Sequence, residues 1–371
     1  MALLFSRLQR NILKDPGRLP ADLTTLKFGQ SFAPHMLVCD WSRSKGWSDP
    51  QITPLQKFQI HPASSCFHYG VECFEGLKAF RGPKGEVRLF RPDKNVERLK
   101  TSMARLELPF DFEGKELERL MSALVAVDRE FVPRGDGYSL YIRPTVIGTH
   151  EALGVSPSDS CKLFVISSPV GPYYPTGFKP VSLLAEKTAV RAWPGGTGAY
   201  KLGANYAIAL GPQTEAQRKG FSQVLWLFGP DDQVTEAGTM NLVVVFGDAK
   251  SGEVKEIVTP PLSDGMILPG VTRDSALELC RQWYGSGKVS ERRCTMKEVL
   301  NASKEGQLLE AFGLGTAAVI SPVQRINYEG KDIHVPLLVD GKMGPVAKRV
   351  WEAITSIQYG RTPSPWSVVC E

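Results

Sequence analysis

The stretch Pro194-Gly195-Gly196-Thr197-Gly198-Ala199-Tyr200-Lys201-Leu202-Gly203-Ala204-Asn205-Tyr206 sets a single lysine among glycines and small residues, with a tyrosine close on either side. Glycine lets the backbone turn sharply and lets a ligand approach closely. A lysine taken out of water there loses part of its preference for the charged form and becomes a nucleophile toward carbonyl carbons. The spacing is not GxxxxGK[ST], so a nucleotide-phosphate loop is disfavoured. A solvated lysine in a mobile glycine loop would show the same letters, and the stretch alone leaves both readings open.

Working outward, Val234-Thr235-Glu236-Ala237-Gly238-Thr239-Met240-Asn241 leads into the apolar run Leu242 to Phe246. Glu236 therefore stands just before a buried segment, either as a surface turn or as a carboxylate held against a cationic ring nitrogen. Two further patches suit an anion. Leu268-Pro269-Gly270-Val271-Thr272-Arg273 opens a helix, whose first amides attract phosphate. Gly313-Leu314-Gly315-Thr316-Ala317-Ala318 is a glycine turn with a hydroxyl donor. Arg98, on the helix after the first hairpin, can add a charge-assisted contact.

The chain has 371 residues, enough for about two domains. Its charge of 44 − 39 = +5 is dispersed, without the basic stripe of a nucleic-acid binder. Seven scattered cysteines form no CxxC pair, which favours reduced thiols over a disulfide framework or zinc site. The five histidines show no HExxH spacing, and no apolar run approaches the ~20 residues of a membrane span. Residues 1–12 carry Arg7 and Arg10 and no acid, and resemble a short mitochondrial presequence. A frayed amphipathic terminus, and with it a cytoplasmic protein, is the alternative.

Residues 77–91 read as a hairpin around Gly82-Pro83-Lys84-Gly85. Pro92 then opens a helix with Val96, Leu99, Met103 and Leu106 on one face. Residues 114–131 are helical, and 138–148 and 162–169 are strands. A breaker-rich seam at 169–180 suits a linker. Strands at 181–186, 223–229, 241–246 and 254–259 follow, with helices at 272–283 and after the capping box Thr295-x-x-Glu298. A strand region at 317–328 and a helix at 345–357 close the chain. Grouped strands beside grouped helices predict an α+β protein. The expected domains are 1–175, small and N-terminal, and 190–371, large and cofactor-binding, joined by a linker at 176–189.

Taken together, these segments resemble the eukaryotic branched-chain aminotransferases of the class IV (fold type IV) pyridoxal-phosphate family. The resemblance runs from Phe28-Gly29 to Gln358-Tyr359-Gly360. It rests on Phe74-Glu75-Gly76-Leu77-Lys78-Ala79-Phe80, Leu140-Tyr141-Ile142-Arg143-Pro144, Tyr200 to Tyr206, Glu236 to Asn241, Leu268 to Val271 and Gly315-Thr316-Ala317. It implies two α/β domains with pyridoxal 5'-phosphate at their interface, carried on Lys201, which also moves the proton at the substrate Cα. Glu236 would meet the ring nitrogen and Tyr206 the ring oxygen. Arg98, the amides of Val271 and Thr272, and Thr316 would hold the phosphate, with Arg191 nearby. Phe28, Tyr69, Phe74, Tyr141 and Tyr173 match the side-chain pocket, and Thr239 and Ala317 the receivers of the substrate carboxylate. Arg143 matches the residue that approaches the distal carboxylate of glutamate. Leu153 and Val155 match a loop that a homodimer partner contributes.

The implied reaction passes the amino group of valine, leucine or isoleucine to 2-oxoglutarate by ping-pong chemistry. D-amino-acid aminotransferases and aminodeoxychorismate lyases share the lysine and the glutamate but build other pocket walls. A cofactor-binding regulatory or storage protein would not need the proton-moving residues. One departure stands out: where mammalian members carry a CxxC pair after the Gly-Thr-Ala turn, this chain has Ala318 and Ser321.

Overall fold

A computed structural model describes residues 1–172 and 179–370. It divides into two units. The first comprises Met1–Pro175, Tyr200–Ala204 and Ser356–Glu371; the second comprises Thr176–Ala199 and Asn205–Thr355. The linear reading put residues 200–204 and 356–371 with the C-terminal half. In the structure their pairing partners lie in the first unit: Leu202 bridges Cys73, and the strand Ser367–Val369 pairs with Val87–Phe90.

The first unit is built on a ten-stranded sheet. At its centre the strands Ser139–Gly148 and Ser160–Val170 run antiparallel, with Leu77–Arg81 on the other side of the former. The two-residue period of the strand Ser139–Gly148 separates two faces. Leu140, Ile142 and Val146 join Leu77, Ala79, Leu163 and Val165 in the core, against the apolar faces of the helices Pro92–Arg105 and Gly114–Val127. The alternate positions Tyr141, Arg143 and Thr145 point to the opposite face, together with Phe74, which pairs with Thr145. One face thus builds the core and the other is left for chemistry.

Residues 1–12 are folded into this unit. Leu3 is buried, Phe5 and Leu8 pack on the core, and Gln9–Arg10 pairs in parallel with Gln51–Pro54. Gln9–Arg10 form a short edge strand of the sheet and Leu3, Phe5 and Leu8 pack with the core, so this terminus is not the frayed one that the sequence also allowed.

In the second unit a nine-stranded sheet runs Gln233–Ala237, Gln223–Phe228, Val181–Glu186, Val319–Tyr328, Leu308–Gly315, Met240–Asp248, Glu253–Thr259 and Val289–Glu291, with Lys331–His334 pairing on Val319–Tyr328 as the ninth. Gln233–Ala237 also pairs with Met240–Asp248, closing six of the strands into a ring. The helix Met296–Lys304 starts where the capping box places it, with the Thr295 hydroxyl accepting from the Glu298 amide at 3.2 Å. The mixed sheets and grouped helices bear out the α+β expectation.

Candidate active site

Lys201 is fixed by its backbone before its side chain is considered. Its amide donates to the Ser102 hydroxyl at 2.9 Å, and its carbonyl accepts from the Phe74 amide at 3.1 Å. The side chain carries Nζ over the Phe74 ring, 4.9 Å from the centroid. Burial, reinforced by the Arg98 cation, pushes the amine down to about 8; the Glu75 carboxylate and Tyr141 oppose the shift, and Arg143 adds to it. The glycine-rich loop therefore presents a partly discharged amine, not the solvated lysine that its letters also permitted. Lys78, a buried lysine, is pushed down to about 8 by burial alone.

Arg98, on the helix Pro92–Arg105, is buried and grips Glu75 with two bonds, Nε at 2.7 Å and a terminal nitrogen at 2.9 Å. Asn95 donates to the same carboxylate at 2.7 Å and the Gly76 amide at 3.1 Å. These charged contacts hold the Glu75 carboxyl below the usual range against its complete burial. Gly76 leaves room beside it: a Cβ there would lie 2.0 Å from the Tyr141 hydroxyl.

Aromatic rings and a second cation besides Arg98 also stand near the lysine. Arg143 donates to the Tyr141 hydroxyl at 2.9 Å and lies over the Phe74 and Tyr141 rings at 4.6 and 5.2 Å. Phe28 meets Tyr141 edge-on, with centroids 4.8 Å apart. The Tyr69 hydroxyl donates to the Leu153 carbonyl, while the residues Leu153 and Val155 are 66% and 83% exposed. Tyr173 lies outside the described residues.

In the second unit Glu236 is 2% exposed at the end of the ring strand Gln233–Ala237. One carboxylate oxygen accepts from Asn241 at 2.8 Å and from the Leu268 amide at 3.0 Å, and the other is 2.7 Å from Arg191. Arg191 thus serves the glutamate in this arrangement. The turn that follows depends on Gly238, at φ +58°, where a Cβ would meet the Gln223 side chain at 2.1 Å. Thr239 is exposed in that turn. Val271 and Thr272 are the first residues of the helix Val271–Tyr284, whose Gly270 cap offers no side-chain bond. Thr316 and Ala317 form the turn between the strands Leu308–Gly315 and Val319–Tyr328. Tyr206 is half-buried on the short helix Gly203–Ala207. Ala318 and Ser321 are buried, and all seven cysteines are free thiols.

Sequence reasoning quoted Glu75 and Asn241 only as motif letters, and it passed over Asn95 and Ser102. Asn95, Arg98 and Ser102 do follow a 3–4 residue spacing that places them along one helix face. That spacing was legible, but nothing in the sequence says that the face meets Glu75 and Lys201.

The family model for amino-transferase class IV matches residues 72–326. The mitochondrial branched-chain-amino-acid aminotransferase of Schizosaccharomyces pombe is 55% identical over 347 residues, covering 93% of this chain and 80% of that protein. The cytosolic one of Saccharomyces cerevisiae is 50% identical over 353 residues, covering 94% and 93%. Among solved structures, the T.th. branched-chain amino acid aminotransferase with pyridoxamine 5'-phosphate superposes with a TM-score of 0.71 at 25% identity, covering 90% and 98%.

Proposed function

The chain belongs to the class IV aminotransferases, among the branched-chain-amino-acid aminotransferases, and on that premise we propose that it transfers the amino group of L-valine, L-leucine or L-isoleucine to 2-oxoglutarate, in two half-reactions, giving branched-chain 2-oxo acids and L-glutamate. The observation that carries this reading is the pinned, partly discharged amine of Lys201 beside an aromatic wall with one cation in it.

The residues fit pyridoxal 5'-phosphate. A buried amine of lowered charge suits its aldehyde, a buried carboxylate with two neutral donors and an arginine suits a protonated ring nitrogen, and an uncapped helix start suits its phosphate. When bound, the cofactor supplies a carbonyl that accepts the amino group and a ring that spreads the negative charge released at the substrate Cα. The rest falls to the protein. Lys201 attaches the cofactor and moves the proton at Cα. Glu236, paired with Arg191 at 2.7 Å, favours the protonated ring. Tyr206 bonds the ring oxygen; Arg98, Val271, Thr272 and Thr316 hold the phosphate. Thr239 and Ala317 take the substrate carboxylate through main-chain N–H groups.

Phe28, Tyr69, Phe74 and Tyr141 give an aliphatic side chain apolar surface, and Arg143 gives the distal carboxylate of glutamate a charge. Purified protein with L-leucine and 2-oxoglutarate should form glutamate and the matching 2-oxo acid at equal rates. No glutamate from any of the three branched-chain donors would overturn the reading.

The active unit in this reading is a homodimer in which Leu153 and Val155 close the partner's pocket. Two aliphatics this exposed are a liability on a lone chain, and covering each is worth ~1.5–3 kcal/mol. Leu153→Asp should raise KM for leucine at least tenfold with little change in cofactor affinity. Sedimentation of a fully active monomer would contradict the shared pocket. For the compartment, the basic first dozen residues support the mitochondrial reading; relatives of both compartments exist, and Gln9–Arg10 pair in the sheet.

A further inference from the structure

Lys201 and Arg98 are both cations, and both depend on one short run of the chain. Phe74 holds the Lys201 carbonyl and lies under its amine, and the next residue, Glu75, takes both bonds from Arg98. The helix Pro92–Arg105 faces this run with Asn95 and Arg98, and one turn further its Ser102 holds the Lys201 amide. We propose that Glu75 is a positioning residue for the site: its buried carboxylate aims the Arg98 guanidinium and balances the positive charge gathered around the Lys201 amine. The proposal rests on the reading of Lys201 as the cofactor-bearing lysine.

Geometry sets the first part of this role. With Nε and one terminal nitrogen of Arg98 engaged by Glu75, the guanidinium fork is fixed, and its other terminal nitrogen is the edge directed away from Glu75. Asn95 and the Gly76 amide hold the carboxylate from the other side, so the fork swings only by breaking its own two bonds to Glu75 or by dragging the carboxylate off the two that anchor it. Charge sets the second part. The groups that act on the Lys201 amine are Arg98, Glu75, Tyr141 and Arg143; the two arginines disfavour its charged form, and Glu75 is the one carboxylate among them. Removing that carboxylate leaves two arginines acting on the amine with only Tyr141 against them. Removing Arg98 instead leaves a buried carboxylate close by. The two changes must therefore move the amine in opposite directions.

The test uses the holoenzyme and the absorption band of the lysine-bound cofactor, titrated with pH. Glu75→Gln should lower the titration midpoint by about one unit or more, and Arg98→Gln should raise it by a similar amount, as befits an adjacent charge. Glu75→Gln should also loosen the cofactor at least tenfold, measured by equilibrium dialysis, because Arg98 is no longer aimed. Glu75→Asp keeps the charge and should leave the midpoint within a few tenths of a unit. If Glu75→Gln does not fold, the rise in Arg98→Gln and the constancy of Glu75→Asp carry the test. Midpoints that stay put, or that move the same way in both variants, overturn the proposal. Borohydride labelling of the unaltered protein separates the two failures: a label on another lysine defeats the reading of Lys201 itself.

Discussion

Lys201→Ala should remain folded and bind pyridoxal 5'-phosphate weakly, yet transaminate leucine slower by a factor of ~10²–10⁴ or more. Loss of proton transfer alone accounts for that range, and loss of the attachment point adds to it. The main chain of Lys201 makes the bonds to Ser102 and Phe74, so alanine keeps them and the defect is chemical. In the unaltered protein the lysine also sets a pH limit. Its amine, pushed down to about 8, is uncharged in about a tenth of molecules at pH 7, against under about one in a thousand for an ordinary lysine. Attachment of added cofactor to cofactor-free protein should therefore slow about tenfold per unit below pH 8 and level off above it. A limb that climbs steadily to pH 10 would show an unshifted amine.

Glu236→Gln should carry the second large effect, in two separable parts. The rate should fall by about 10²–10³, because a neutral amide no longer holds the ring nitrogen protonated where charge develops. The fold should lose ~3–5 kcal/mol, because Arg191, itself buried, is left without its anion. Rates per folded molecule, with thermal unfolding followed in parallel, separate the two. A variant with unchanged turnover and a lowered melting temperature would reduce Glu236 to a structural anchor.

Much of this was legible in the letters, and the gaps have physical causes. The hairpin strands Leu77–Arg81 and Val87–Phe90, the helix after Pro92 and the Thr295 cap follow from turn chemistry and periodicity, which act locally. The strand Leu308–Gly315 escaped notice because seven of its eight residues are buried on both faces, so no alternation marks it. Its glycines read as a turn, and Glu310 sits inside it, paired with the amides of Val346 and Ala347. Gln233–Ala237 was hidden in a similar way: its Gln, Thr and Glu look like surface residues, and every one of them is buried in the ring. Lys201 was found because glycines crowd around it and Glu236 because it stands just before an apolar run, whereas Arg143 came only through the family resemblance. Glu75, Asn95, Ser102 and Asn241 act through partners that only the fold brings near.

The most direct test of the account is to reduce the holoenzyme with borohydride and map the labelled peptide by mass spectrometry. The account predicts a reduced pyridoxyl group on Lys201, within the peptide that contains Tyr200 and Leu202. The label on Lys78, the other lysine that burial pushes down to about 8, or on any further lysine, would contradict it.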